Sequence, residues 1–192
     1  MQIRIPGALP LVLVLGLAGC ATQPPAHPRP TRPTVTATST VKQAVANLAA
    51  ASGTLVSGRL LLQPMGGGVR ITGEIGGLQP GSSHGFHIHE KGDCSAVDAS
   101  SAGGHFNPGV QPHGRSGKGP HHAGDSDNLV ADANGVAHVD AHFAGVSLGG
   151  SADTDILGRA LIVHAAADDY TSQPAGNAGV RVACGVIRLV AP

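Results

Sequence analysis

Residues 84–94 read HGFHIHEKGDC. Side chains two positions apart on an extended strand share a face. His87 and His89 therefore point one way, and Phe86 and Ile88 point the other. The stretch predicts a strand with one apolar face for a core and one imidazole face able to chelate an ion. Taken alone, an H-x-H pair is more readily two solvated histidines than a chelate. Its meaning depends on what the rest of the chain brings within reach.

The rest of the chain reads as all-β. Gly is abundant at 29 of 192 residues, charged residues make up only 12%, and the aromatics are three Phe, one Tyr and no Trp. A core must then be built from Val, Leu, Ile and Ala. Short apolar runs bounded by Gly, Pro, Asn and Asp predict strands. They are AVANLAAASG, LVSGRLLLQ, GVRITGEIGGL, SSHGFHIHE, NLVAD, VAHVDAHFAGVSL, LGRALIVHAA and GVRVACGVIRLV. AVANLAAA could form a short helix by propensity alone, but is read here as a strand. Ala133-Asn134-Gly135 carries a hairpin signal linking NLVAD to the strand after it. Residues 91–127 and 168–178 show no strand pattern, and loops of that length in a compact domain are usually functional.

Twelve Lys plus Arg balance twelve Asp plus Glu, so there is no basic field for nucleic acid. The N-terminus reads as an export signal: Arg4, an apolar run too short to span a bilayer, then LAGC at 17–20. This is the pattern of a bacterial lipoprotein, with residues 1–19 removed and Cys20 acylated. A Pro/Thr-rich tether over 20–40 and a domain over 41–192 follow. The expected location is the periplasmic face of a membrane, held by the lipid, with Ala21 leaning toward the outer one. Cys94 and Cys184 then remain as a pair, and outside the cytoplasm such a pair is normally a disulfide.

The first long loop contains GGHFNPGVQPHGRSGKGPHHAGD, with His105, His113, His121, His122 and Asp125. Three imidazoles and a carboxylate suit a tetrahedral zinc ion, and coordination would order a loop that has no core of its own. Further on, His164 ends an apolar strand in ALIVHAAADD and could complete a second, imidazole-only site of the kind that suits copper, zinc or iron.

HGFHIHEKGDC, GGHFNP, HHAGD, LIVHAAADD and GNAGVRVACGVI together resemble the copper,zinc superoxide dismutases, in order and along nearly the whole chain from residue 41. The resemblance implies an eight-stranded, flattened Greek-key β-barrel, an immunoglobulin-like sandwich with long site loops. It implies one copper per subunit on His87, His89, His105 and His164, and one zinc on His105, His113, His122 and Asp125, with His105 bridging. Asp168 would hydrogen-bond His87 and His113, Arg181 would dock the anion, and Cys94–Cys184 would be the disulfide. The implied reaction is dismutation of superoxide to oxygen and hydrogen peroxide, with His105 and Arg181 catalytic. A copper carrier or buffer on the same fold is the alternative. Relatives include dimers built through different faces and monomers, so a homodimer stays open. His84 matches a buttressing position, His121 is assigned to solvent, and His138 and His142 to the surface.

Two departures stand out. DDYTSQPAGNAG (168–179) is short and has no Lys or Glu, and Ala175 stands where a Thr often narrows the entrance. With few exposed charges to screen, rising ionic strength should slow turnover less than in relatives with a Lys-bearing loop. An equal or steeper salt slope in steady-state assays would contradict this.

Overall fold

The alternation of apolar and polar residues carries through into strands with one buried face. The computed structural model describes residues 36–190. The expected signal, Cys20 and the tether up to residue 35 lie outside the described residues. In β1 (Ala44–Ala50), Ala44, Ala46 and Leu48 are buried, so this segment is a strand, not a helix. Leu60 and Leu62 of β2 (Ser57–Met65) and Val69, Ile71 and Ile75 of β3 (Gly68–Gly76) face the same core. Two strands break the pattern. β5 (Phe86–His89) and β8 (Ala160–His164) are buried at every position, because loops cover their outer face.

The antiparallel strands run in the order β5-β8-β9-β1-β2-β3-β7, where β7 is Ala137–Ala144 and β9 is Arg181–Leu189. The stretch SSHGFHIHE, expected as one strand, is two. Gly85 donates its N–H to the Ala166 carbonyl and accepts from His164 N–H. That exchange separates β4 (Ser83–His84) from β5. β4 then pairs with β6 (Leu129–Val130) instead of staying beside β8. Nine strands therefore stand among the described residues where eight were expected.

The Asn-Gly turn forms, with Asp132 Oδ1 accepting from Asn134 N–H at 2.8 Å and Val136 N–H at 2.9 Å. Its first arm is hydrogen-bonded to β4, however, and not laddered to β7 as a simple hairpin would be. The detour curls the sheet: β5 holds one edge, and its continuation β4 reaches β6, which turns into β7 at the other. The result is a Greek-key β-barrel. Apart from one 3-10 turn at Ser100–Ala102, the described residues contain no helix.

The barrel is filled by Leu60, Leu62, Ile71, Ile75, Ile88, Leu161 and Ile187, with Phe86 edge-on to Phe143 at 6.0 Å between centroids. A smaller cluster of Ala51, Ala99, Ala102, Ala160, Ile162 and Cys184 lies under the first loop. Here Cys94 and Cys184 are disulfide-bonded, fastening that loop to β9. At the other end, Thr40 and Val41 N–H both donate to the Leu148 carbonyl at 3.0 Å, so the last residues before β1 are docked.

The disulfide closes a loop of 90 residues in sequence, which should stabilise the fold by about 2–4 kcal/mol. Replacing both cysteines by alanine should lower the urea midpoint of the metal-free chain accordingly. An unchanged midpoint would show that the alanine cluster alone holds the loop.

Candidate metal centre

The loop bearing His105 is stitched onto the strand bearing His87 and His89. Phe106 N–H donates to the Ile88 carbonyl at 2.8 Å, Ile88 N–H to Gly124 at 2.9 Å, and Gly124 N–H to Phe106 at 2.9 Å. His89 and His105 also face each other as a β-bridge. No Cβ fits at Gly124, which lies against the Ile88 carbonyl. That close approach brings the neighbouring Asp125 under the loop. Strand β8 delivers His164 from the adjacent position.

Two groups of side chains result, each with its ligand atoms within 4.8 Å of one another. The first is His87, His89, His105 and His164; the second is His105, His113, His122 and Asp125. All seven residues are buried. In the first group each outward nitrogen of the non-shared rings has a protein acceptor. His89 Nδ1 donates to the Gly103 carbonyl at 2.9 Å, His164 Nδ1 to Gly179 at 3.0 Å, and His87 Nε2 to Asp168 Oδ2 at 2.8 Å. A ring that donates outward presents a lone pair inward. The inward atoms, His87 Nδ1, His89 Nε2, His105 Nε2 and His164 Nε2, are buried with no hydrogen-bond partner, as is His113 Nδ1. Leaving one such atom unsatisfied costs about 1–3 kcal/mol. An ion shared between them removes that cost.

The second group is already spaced for one. A tetrahedral ion with bonds of about 2.0–2.1 Å places its ligands about 3.3 Å apart. Asp125 Oδ1 lies 2.7 Å from His105 Nδ1, 3.1 Å from His113 Nδ1 and 3.2 Å from His122 Nδ1. His105 and His122 are 3.4 Å apart through the same nitrogens. The other oxygen of Asp125 accepts from His122 N–H at 2.8 Å and Gly114 N–H at 3.2 Å. His105 thus offers one nitrogen to each group.

Burial sets the protonation of these rings. It lowers the pKa of His89 to about 2, of His164 to about 3 and of His105 to about 4, so all three are neutral and ready to ligate. Burial also lowers that of His113, but Asp125 and Asp168 outweigh it and raise the value to about 9. Burial would raise Asp125, yet the three facing rings hold its carboxyl well below the usual range.

Asp168 joins the groups, its Oδ2 on His87 and its Oδ1 on His113 Nε2 at 2.9 Å. Arg181, half-buried at the start of β9, donates to the carbonyls of Ala99 and Gly103. Gly103 is the same carbonyl that holds His89, so the guanidinium is fixed beside that ring. A cavity of about 310 Å³ opens over His164, lined by Ser172, Gln173, Pro174, Ala175 and Ala178 among others. Of the remaining histidines, His84 bonds the His164 carbonyl through Nδ1 at 2.8 Å and Ser82 through Nε2. His121 turns to the Gly119 carbonyl outside both groups, and His138 and His142 are exposed.

Several residues here carry no sequence signal of their own. Asn128 clasps Asp168 through both its N–H and C=O, at 2.8 and 2.9 Å. A Cβ at Gly176 would strike Asp168 Oδ1 and His113 Nε2. Arg159 stacks on Phe106 at 3.8 Å and donates to the Glu90 carbonyl at 2.8 Å, bracing the segments that carry His105 and His89. Gln173 pairs with the backbone of His113. Apart from Gly176 against the nearby Asp168, each acts through a partner more than 35 residues away.

The sequence model of the copper/zinc superoxide dismutases (SODC) matches residues 56–187. The chain is 38% identical to the superoxide dismutase-like protein YojM of Bacillus subtilis over 184 residues, covering 93% of each. It is 41% identical to superoxide dismutase [Cu-Zn] 2 of Aquifex aeolicus over 136 residues, 69% of this chain and 80% of that one. Among solved structures, a double mutant of a SOD-like protein from Bacillus subtilis superposes with a TM-score of 0.69 at 40% identity, covering 75% of this chain and 96% of the other.

A metal ion bound at His113 Nδ1 and a proton there would exclude one another. In the metal-free chain the raised His113 pKa stabilises the fold fully below its ordinary 6.5, and that contribution is lost as pH rises through about 9. Zinc affinity should run the opposite way, climbing with pH to about 9, with about one proton released per zinc bound near neutrality. Calorimetric titration in buffers of different ionisation enthalpy measures that proton. Uptake without proton release would show that His113 is already neutral.

Proposed function

The chain belongs to the copper/zinc superoxide dismutase family, and on that premise we propose that it converts two superoxide anions and two protons to oxygen and hydrogen peroxide. One observation carries this reading: buried, partnerless ring nitrogens point into two ligand groups that share His105. A single structural ion would leave His87, His89 and His164 facing nothing. When bound, copper in the first group supplies the one-electron exchange with superoxide, and zinc in the second supplies a fixed positive charge.

The chain's own side chains do the rest. Arg181, permanently charged and planar, receives the anion, while the Ala99 and Gly103 carbonyls fix its direction. Asp168 holds the outer nitrogens of His87 and His113, so their inner nitrogens stay aimed. His105 Nε2 holds one of the protons that peroxide formation consumes. The second arrives from solvent through the cavity over His164. Cys94–Cys184 anchors the loop that supplies the two carbonyls.

The proposal extends to location. LAGC at 17–20 supports acylation of Cys20 and anchoring on the periplasmic side, with 22–34 as spacer. There the enzyme would meet superoxide arising outside the cytoplasm.

Metal analysis of the reconstituted protein should find one copper and one zinc per chain, together with rapid superoxide consumption. His89→Ala should abolish turnover and keep zinc. Arg181→Ala should keep both metals and cost about ten- to hundredfold in rate, the scale of losing hydrogen bonds to a charged group. Stoichiometric metals with no turnover would favour the copper carrier. Mass spectrometry of the mature N-terminus should find lipid on Cys20, and an unmodified cysteine there would remove the anchor.

A further inference from the structure

Gln173 forms a two-point pair with the main chain of His113. Its Oε1 accepts from His113 N–H at 2.8 Å, and its Nε2 donates to the His113 carbonyl at 2.9 Å. A side-chain amide matched to a peptide in this way holds one residue's backbone as a neighbouring strand would. His113 is thereby held from three sides. Gln173 takes its main chain, Asp168 Oδ1 takes Nε2 at 2.9 Å, and Asp125 Oδ1 faces Nδ1 at 3.1 Å.

Gln173 also belongs to the loop over the other group. Pro174, Ala175 and Ala178, close behind it, line the cavity that opens onto His164. The loop lies flat against the site, because Gly176 leaves room for nothing larger beside Asp168 and His113. Within the loop, Asp169 gathers Ser172 and Thr171 N–H at 2.7 and 2.9 Å, and Gly176 N–H donates to the Ser172 carbonyl at 2.7 Å. Across to the 105–125 segment, Asp168 Oδ1 reaches the His113 ring at 2.9 Å and Arg115 lies over the Tyr170 ring at 5.0 Å, while Gln173 pairs with the main chain there. Asn128 holds the start of the loop, bonding both main-chain groups of Asp168 and donating its own N–H to the Tyr170 hydroxyl at 2.9 Å.

We propose that Gln173 is a positioning residue that makes the His113 backbone and the wall of the cavity over His164 one unit, so that an ion seated by His113 also fixes that wall. This rests on the zinc assignment proposed above. Beyond Asp169 the loop carries no charged side chain, and the amide pair at Gln173 fixes that part of it. The coupling is reciprocal, as linkage requires: a loop locked down holds His113 in position, and a loosened loop weakens its hold on the ion.

The chain has one tyrosine and no tryptophan, and Tyr170 sits in this loop with its backbone N–H on Asp168 Oδ1 at 2.7 Å. Its emission therefore reports the loop without a label. The full chain, stripped of metal, is titrated with zinc alone, following heat and Tyr170 anisotropy. Gln173→Met removes both bonds at similar length, and Gln173→Glu keeps the acceptor but sets a carboxylate against the His113 carbonyl. Both variants should bind zinc about tenfold more weakly, the usual cost of losing a partner behind a ligand. The zinc-induced rise in anisotropy should shift to the same higher concentration, while the metal-free thermal midpoint stays put.

A lowered metal-free midpoint would mark Gln173 as a general stabilising residue and overturn the proposal. So would an unchanged zinc Kd in both variants, or an anisotropy rise that does not move with the Kd. Wild-type protein that takes up no zinc would instead sink the metal assignment, which separates the two failures.

Discussion

Imidazole rings buried with one nitrogen satisfied and the other bare impose the constraint on which the rest of this molecule depends. Each ring is fixed from outside by an acceptor, Gly103 for His89, Gly179 for His164 and Asp168 for His87. Fixing one nitrogen decides the tautomer, and therefore which atom looks inward without a proton. The arrangement is unfavourable by itself, because a bare buried acceptor has lost its water. It becomes favourable only around ions. Much of the architecture serves to keep it in place, from the strands buried on both faces to the long loops folded over them.

Those loops have little apolar material. Across 103–125 the chain is mostly Gly, Pro, His and short polar residues, which cannot form a core. Main-chain pairing of Phe106 and Gly124 with Ile88 gives the loop its first attachment, and the carboxylates of Asp125 and Asp168 give it the second. Asp168 is shared between the groups, so neither can shift independently of the other. The mouth above is built from Pro174, Ala175 and Ala178, small and neutral, with Arg181 as the fixed cation close by.

Legibility followed the distance over which residues act. His87 and His89 could be placed on one face from period-two alternation, and His105, His113, His122 and Asp125 stood out as ligand-type residues crowded into a loop without a core. The strands were legible for the same local reason. The break at Gly85 was not, because it depends on hydrogen bonds to Ala166 and His164, some eighty residues along the chain. Nor was the separation of Leu129–Val130 from its own hairpin partner. The Asn-Gly turn specifies a reversal, and pairing with β4 decides what lies beside it.

By itself the sequence determined the chemistry available: an all-β alternation, imidazoles and carboxylates of ligand type, a cysteine pair and one arginine near the end of the domain. Periodicity and residue type are local properties, and they survive in the string of letters. Tertiary structure alone decided which nitrogen of each ring is bare, that Asn128 clasps Asp168, that Gly176 makes room for it, and that Gln173 grips His113. Those outcomes depend on directions and separations between segments far apart in the chain, and a hydrogen bond exists only when both are right.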